Sequence, residues 1–141
     1  MNKLNKQILL VEDDVAIMDT LTMFLQYEGY EVLRARSVER ACDILAQTTP
    51  DLVLLDYMLQ DDTAEPVIAA LRERHVGQVR VILLTAADDP AGKARDLGVD
   101  GVVAKPFELE VLLRAIEDAI SSGARANAQV AENTGLSSAH C

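Results

Sequence analysis

Ile8-Leu9-Leu10-Val11-Glu12-Asp13-Asp14 places four apolar residues in an unbroken run that stops abruptly at three acids. An alternating run would mark a strand with one wet face. An unbroken one suits a strand buried on both faces of a parallel sheet. The same pattern recurs at Leu52-Val53-Leu54-Leu55, Val81-Ile82-Leu83-Leu84 and Val102-Val103-Ala104. A weaker version, Val32-Leu33, is flanked by Glu31 and Arg34 and reads as an edge strand.

Segments of helical periodicity lie between these runs. Val15 to Tyr27 is expected to turn Ile17, Leu21, Phe24 and Leu25 inward, with Asp14 as its cap and Gly29 as its stop signal. Ser37 suits the N-cap of a helix over Val38 to Gln47, with Ala41, Ile44 and Leu45 inward. Ala64 to Arg74 and Pro90 to Leu97 follow, the latter closed by Gly98. The last helix, Glu108 to Ile120, carries Leu109, Leu112, Leu113 and Ile116. Five strands alternating with five helices imply an α/β fold. It is a doubly wound five-stranded parallel sheet with helices on both faces and right-handed crossovers.

The 141 residues suffice for one domain with its own core, and half of them are apolar. The net charge of −10, without a basic run, argues against nucleic-acid binding by this domain alone. Cys42 and Cys141 lie far apart and show no metal-site or disulfide-framework spacing; Cys42 falls on an apolar helix face and is expected to be buried. No signal-peptide pattern and no apolar run long enough to span a membrane is present, so the chain reads as cytoplasmic and not membrane-bound. From Ser121 the composition turns to Ser, Ala, Gly, Asn and Gln. The domain is therefore expected to occupy residues 1–121, with 122–141 a disordered tail or linker.

The polar residues fall at the carboxyl ends of the strands: Glu12 and Asp13 after the first, Asp56 after the third, Thr85 at the fourth and Lys105 after the fifth. Open α/β sheets place their sites there. With the strand order 2-1-3-4-5 the switch point lies between the first and third strands, and Asp13 faces Asp56 across it. Carboxylate pairs at about 4 Å repel by on the order of 4 kcal/mol at an effective dielectric near 20. A hard divalent cation held by few carboxylates, such as Mg²⁺, relieves that repulsion and neutralises an incoming phosphoryl group. Lys105 adds a second positive charge, the Thr85 hydroxyl a donor, and small Ala86 leaves access.

The segments Ile8 to Asp14, Asp51 to Asp56, Val81 to Ala86 and Ala104-Lys105-Pro106-Phe107 together resemble the response-regulator receiver family of two-component signalling, over roughly residues 6 to 121. The resemblance implies a flavodoxin-like fold and a signalling phosphoacceptor that catalyses only its own phosphoryl transfer and slow autodephosphorylation. By the same resemblance, Asp56 is the acceptor of a phosphoryl group from a phosphohistidine on a sensor histidine kinase or phosphotransfer protein. Asp13 ligates Mg²⁺ directly, Glu12 reaches it through water, and Asp56 and the Met58 backbone carbonyl complete the protein ligands. Thr85 is the switch hydroxyl, Lys105 pairs with the phosphoryl group, and the Lys105-Pro106 bond is cis. Output then passes to a downstream protein or an effector domain. A homodimer through the face of the fourth helix, fifth strand and fifth helix is also implied.

The pattern breaks in two places. Family members usually carry Tyr or Phe where this chain has Val102, and no nearby aromatic replaces it, Phe107 being expected in the core. After Asp56 the chain reads Gln60-Asp61-Asp62-Thr63-Ala64 with a delayed Pro66, so the loop into the third helix is expected to take another path, with two extra carboxylates beside the site. His75 and His140 are expected at the surface. The alternative function is a pseudo-receiver acting as a phosphorylation-independent interaction module. A flavin-binding relative is disfavoured because Glu12-Asp13-Asp14 would repel a phosphate, and an aspartyl phosphatase because position 58 is Met.

Overall fold

A computed structural model describes residues 6–59, 62–74, 77–86 and 88–121. The strands are β1 (Gln7–Val11), β2 (Glu31–Ala35), β3 (Leu52–Asp56), β4 (Met58–Leu59), β5 (Asp62–Thr63), β6 (Arg80–Thr85) and β7 (Gly101–Ala104). The helices are α1 (Val15–Tyr27), α2 (Val38–Gln47), α3 (Glu65–Arg74), α4 (Pro90–Leu97) and α5 (Leu109–Ser121). Five strands form one parallel sheet in the order β2-β1-β3-β6-β7. This is the expected 2-1-3-4-5 arrangement, with the fourth and fifth predicted strands now β6 and β7.

Burial explains the unbroken apolar runs. Every residue of β3 and β6 is buried, as are four of the five in β1. Their side chains point alternately into two cores. Leu9, Val11, Val53, Leu55, Val81 and Leu83 meet α2 and α3 on one face. Ile8, Leu10, Leu52, Leu54, Ile82 and Leu84 meet α1 and α5 on the other. The outer strands β2 and β7 are only partly covered, which is why their runs are short and interrupted. Because α1 packs on one face and α2 on the opposite one, the connections to β2 and β3 diverge on either side of β1. A crevice therefore opens at the carboxyl ends of β1 and β3.

Local signals set the helix ends. The Asp14 carboxylate accepts from Ile17 N at 3.0 Å, and the Ser37 hydroxyl from Arg40 N at 3.1 Å. Gly98 closes α4 with φ 69°, a left-handed turn where a Cβ would also meet the Arg72 guanidinium. Cys42 is buried on α2, as its helix face predicted. α3 and α5 each begin one residue later than predicted.

One inward assignment was wrong. The buried stripe of α1 is Met18, Leu21, Thr22 and Leu25, so Ile17 lies outside it and is exposed, while Phe24 is only partly covered. Ile17 is four residues from Leu21 and Met18 is three, so spacing alone admits both, and the way α1 rests on the sheet selects Met18. Leu109, the first residue of α5, is also exposed, because the sheet begins to cover the helix only at Leu112.

The segment after β3 departs from expectation by forming a two-residue antiparallel pairing, Met58 with Thr63 and Leu59 with Asp62. Asp61, the Asp62 side chain, His75, His140 and the segment 122–141 lie outside what is described. Among the described residues, no helix is long and apolar enough to cross a membrane.

The α2 cap gives a clean test of this local account, since Ser37 is exposed and its hydroxyl accepts from Arg40 N. Ser37→Ala should lower unfolding free energy in urea by about 1 kcal/mol, and Ser37→Gly by only a few tenths. Equal losses for the two would mean that the hydroxyl does not act as the cap.

Candidate functional site

The sheet delivers its chemistry by register. Glu12 follows β1 directly and is held there by its backbone N–H on Ala35 O at 3.0 Å. Asp56 is the last residue of β3 and stands opposite Leu84, one residue before Thr85 at the end of β6. Thr85 in turn pairs with Ala104, and Lys105 N donates to Thr85 O at 2.8 Å. Four separate segments thus meet at one end of the sheet.

The acids are close and poorly hydrated. Glu12, Asp13 and Asp56 each offer a carboxylate oxygen, and these oxygens lie within 4.8 Å of one another. Glu12 is 1% exposed and Asp56 5%, while Asp13 is half-buried and forms the outer wall. Lys105 Nζ donates to Asp56 Oδ2 at 2.8 Å and stands 3.8 Å from Glu12 Oε1. Met58 N donates to Asp56 Oδ1 at 3.3 Å, so both oxygens of Asp56 are engaged. Glu12 Oε2 accepts from Asp14 N at 3.1 Å. Thr85 is buried, whereas Ala86 beside it is exposed.

One lysine does not neutralise three carboxylates, and the imbalance shows on Glu12. Burial pushes its carboxyl up from an ordinary 4.5 to about 7. The Asp56 charge adds to the rise, and the Asp14 N–H and Lys105 oppose it. Glu12 Oε1 is buried and accepts no hydrogen bond. An all-oxygen donor set with one buried, unused oxygen fits a hard divalent cation, which would satisfy that oxygen and offset the surplus negative charge.

Every predicted site residue except Val102 sits at this end of the sheet, though Met58 does so on the β4–β5 ribbon with an exposed side chain. Val102 lies within β7, half-buried and packed against the core shared with α2 and α3. The Lys105-Pro106 bond is cis, and Phe107 packs against the α1–α5 core. Sequence reasoning missed Tyr57. Its ring packs against the α2–α3 core, its hydroxyl donates to Glu65 Oε2 at 3.2 Å, and Lys93 Nζ stands 4.5 Å from the ring centroid. An aromatic next to Asp56 was visible in the sequence, but nothing there indicated that a lysine of α4 would cover it.

Comparison with known proteins agrees with this geometry. A family model described as the response regulator receiver domain matches residues 8–117. The chain is 40% identical over 115 residues to the uncharacterized transcriptional regulatory protein YkoG of Bacillus subtilis (strain 168). That match covers 80% of this chain and 50% of YkoG, so the chain spans about half the length of this curated relative. Among solved structures, a response regulator receiver domain protein (CheY-like) from Methanospirillum hungatei superposes with a TM-score of 0.77 at 25% identity, covering 86% of this chain and 98% of that one. Response regulator protein TrrA from Thermotoga maritima, in complex with Mg²⁺-BeF, gives 0.72 at 29% identity, covering 81% and 98%.

The raised Glu12 carboxyl has a definite sign. Between about pH 4.5 and 7 the folded, metal-free protein holds a proton that the unfolded chain has released, so this group's contribution to stability falls as pH rises through that window. Comparing metal-free wild type with Glu12→Gln in urea isolates it. The variant should be the more stable above pH 7, by on the order of 3 kcal/mol, and the difference should vanish below pH 4.5. Parallel pH profiles would show that Glu12 is not desolvated as described.

Proposed function

The chain belongs to the response regulator receiver domain family, and on that premise we propose that Asp56 accepts a phosphoryl group from a phosphohistidine of a sensor histidine kinase or phosphotransfer protein. The observation that carries this is the Asp56 carboxylate itself, buried beside Glu12, clustered with the half-buried Asp13 and paired to Lys105 at 2.8 Å. One carboxylate oxygen of Asp56 forms a bond to phosphorus while the bond from phosphorus to the histidine nitrogen breaks. The electron pair of that broken bond returns to the imidazole. Phosphoryl transfer depends chiefly on positioning and charge stabilisation, and this site offers both.

Lys105, which already donates to Asp56, would follow the new charge, and the Thr85 hydroxyl would donate to a phosphoryl oxygen. Asp13 and Asp56 would hold Mg²⁺ directly, Glu12 through water, and the Met58 carbonyl would complete the protein ligands. When bound, Mg²⁺ supplies positive charge against the phosphoryl oxygens. TrrA, crystallised with Mg²⁺-BeF, supports that assignment, as does the unused Glu12 oxygen. The protein is then the acceptor and its own catalyst, returning to rest by slow autodephosphorylation, rather than an enzyme acting on other substrates.

Val102 makes the output side of the switch unusual for the family. Rotation of Val about χ1 moves only methyl groups, so it reshapes the surface of β7 far less than a Tyr or Phe would. Output passes to a downstream protein or to an effector domain of a longer protein, a reading supported by the half-length match to YkoG. The face of α4, β7 and α5 is the proposed homodimer surface, and the setting is cytoplasmic.

Intact mass after treatment with acetyl phosphate and Mg²⁺ tests the acceptor. One phosphoryl group should appear on the wild type and none on Asp56→Asn. An unchanged wild-type mass, or labelling of the variant elsewhere, would sink the assignment. Asp13→Asn should weaken Mg²⁺ binding by about tenfold or more, because it removes a direct ligand. It should also stabilise the metal-free domain by relieving repulsion. Destabilisation of the metal-free variant would show that the acids are not in conflict.

A further inference from the structure

α4 is the only helix among the described residues with no buried side chain. Its Leu97 packs against the α2–α3 core but is only partly buried, so its polar contacts weigh heavily in where it lies. At its start the Asp89 carboxylate accepts from Gly92 N at 3.1 Å. At its end the Arg72 guanidinium donates to Leu97 O. In its middle Lys93 Nζ rests over the Tyr57 ring, 4.5 Å from the centroid, where the negative face of the ring attracts an ammonium.

Tyr57 is not a neutral perch. It follows Asp56 directly, and its backbone N–H donates to Leu84 O at 2.9 Å, one residue before Thr85. Its hydroxyl donates to Glu65 Oε2 at 3.2 Å, and the other oxygen of that carboxylate accepts from Thr63 Oγ1 at 3.4 Å. A single side chain is therefore tied through its backbone to β6, through its phenol to α3 and through its ring face to α4. Any displacement of the β3 end must carry the ring with it.

We propose that the Tyr57–Lys93 contact is the link by which a change at Asp56 reaches α4. The proposal rests on Asp56 being the acceptor. An added phosphoryl group alters the forces on the Asp56 backbone and on the end of β6. The ring responds because it is bonded to both. α4 follows because the ring is one of its two grips on the sheet side, the other being the packing of Leu97. Coupling requires that the contact differ between the two states, and a half-buried, charge-based contact on a lightly held helix is free to differ.

The test records amide chemical shifts on adding beryllofluoride with Mg²⁺, in wild type, Lys93→Gln, Lys93→Arg and Tyr57→Leu. Lys93 is not in the core, so its variants should fold and remain interpretable even if Tyr57→Leu does not. Amides of Thr85 and Lys105 should respond fully in every variant. The response of residues 90–97 should fall below about half of wild type in Lys93→Gln and Tyr57→Leu. It should persist in Lys93→Arg, whose guanidinium keeps a cation over the ring. A full response of residues 90–97 in Lys93→Gln would overturn the link while leaving the acceptor intact. No response at Thr85 and Lys105 in the wild type, together with no mass gain from acetyl phosphate, would overturn the acceptor assignment and the link with it.

Discussion

Glu12, Asp13 and Asp56 repel one another, yet their carboxylate oxygens lie within 4.8 Å in a largely buried crevice with one lysine for partial compensation. Nothing in the acids themselves favours that arrangement. They are held there because β1 and β3 are adjacent and parallel, and because the apolar residues leading up to them, Ile8–Val11 and Leu52–Leu55, are fully buried. Burying a Val, Leu or Ile side chain contributes about 1.5–3 kcal/mol, so eight such residues outweigh the repulsion they impose at the strand ends. The rest of the structure follows from that arrangement, with a rigid two-sided core behind the acids and polar groups concentrated where the strands stop.

The same arrangement explains why the site is electrostatically unfinished. A protein built only for stability would pair each acid or replace it. Here Glu12 is desolvated enough for its carboxyl to rise to about 7, and one of its oxygens accepts no hydrogen bond. Such local conflicts are common where a site must take up something from outside, and they are tolerated because the surrounding packing supplies stability in excess. A cation is the species whose charge would complete this cluster of acids.

Rigidity is not distributed evenly around the crevice. β1, β3 and β6 are locked between two cores, whereas α4 contributes no fully buried residue and is attached through the partly buried Leu97, an arginine and the Tyr57 ring. A charge change at the acids can do little to the sheet, since displacing close-packed strands is costly. The weakly attached helix beside it offers the softer response. Val102 reinforces that contrast, because a small β-branched side chain within β7 leaves less to rearrange there than an aromatic would.

The sequence by itself determined the fold class and, through the resemblance it carries, the strand order, and it put most of the candidate site residues at one end of the sheet. Unbroken apolar runs can be buried only between two layers of helix, and acids or a lysine directly after such runs must emerge at the carboxyl end of the sheet. That logic placed Glu12, Asp13, Asp56, Thr85 and Lys105 correctly because each depends only on its own strand. It placed Asp14, Ser37 and Gly98 at helix ends for the same reason, since capping is local chemistry. It failed for Ile17, where a one-residue rotation of a helix moves a side chain from core to solvent, and for the β4–β5 ribbon, whose two-residue strands carry no periodic signal. Only the tertiary structure decided how far burial would raise Glu12, because desolvation sums over neighbours from several strands. Only it brought Lys93 over Tyr57, because that contact joins a strand end to a helix distant in sequence, and neither residue's local pattern specifies the other.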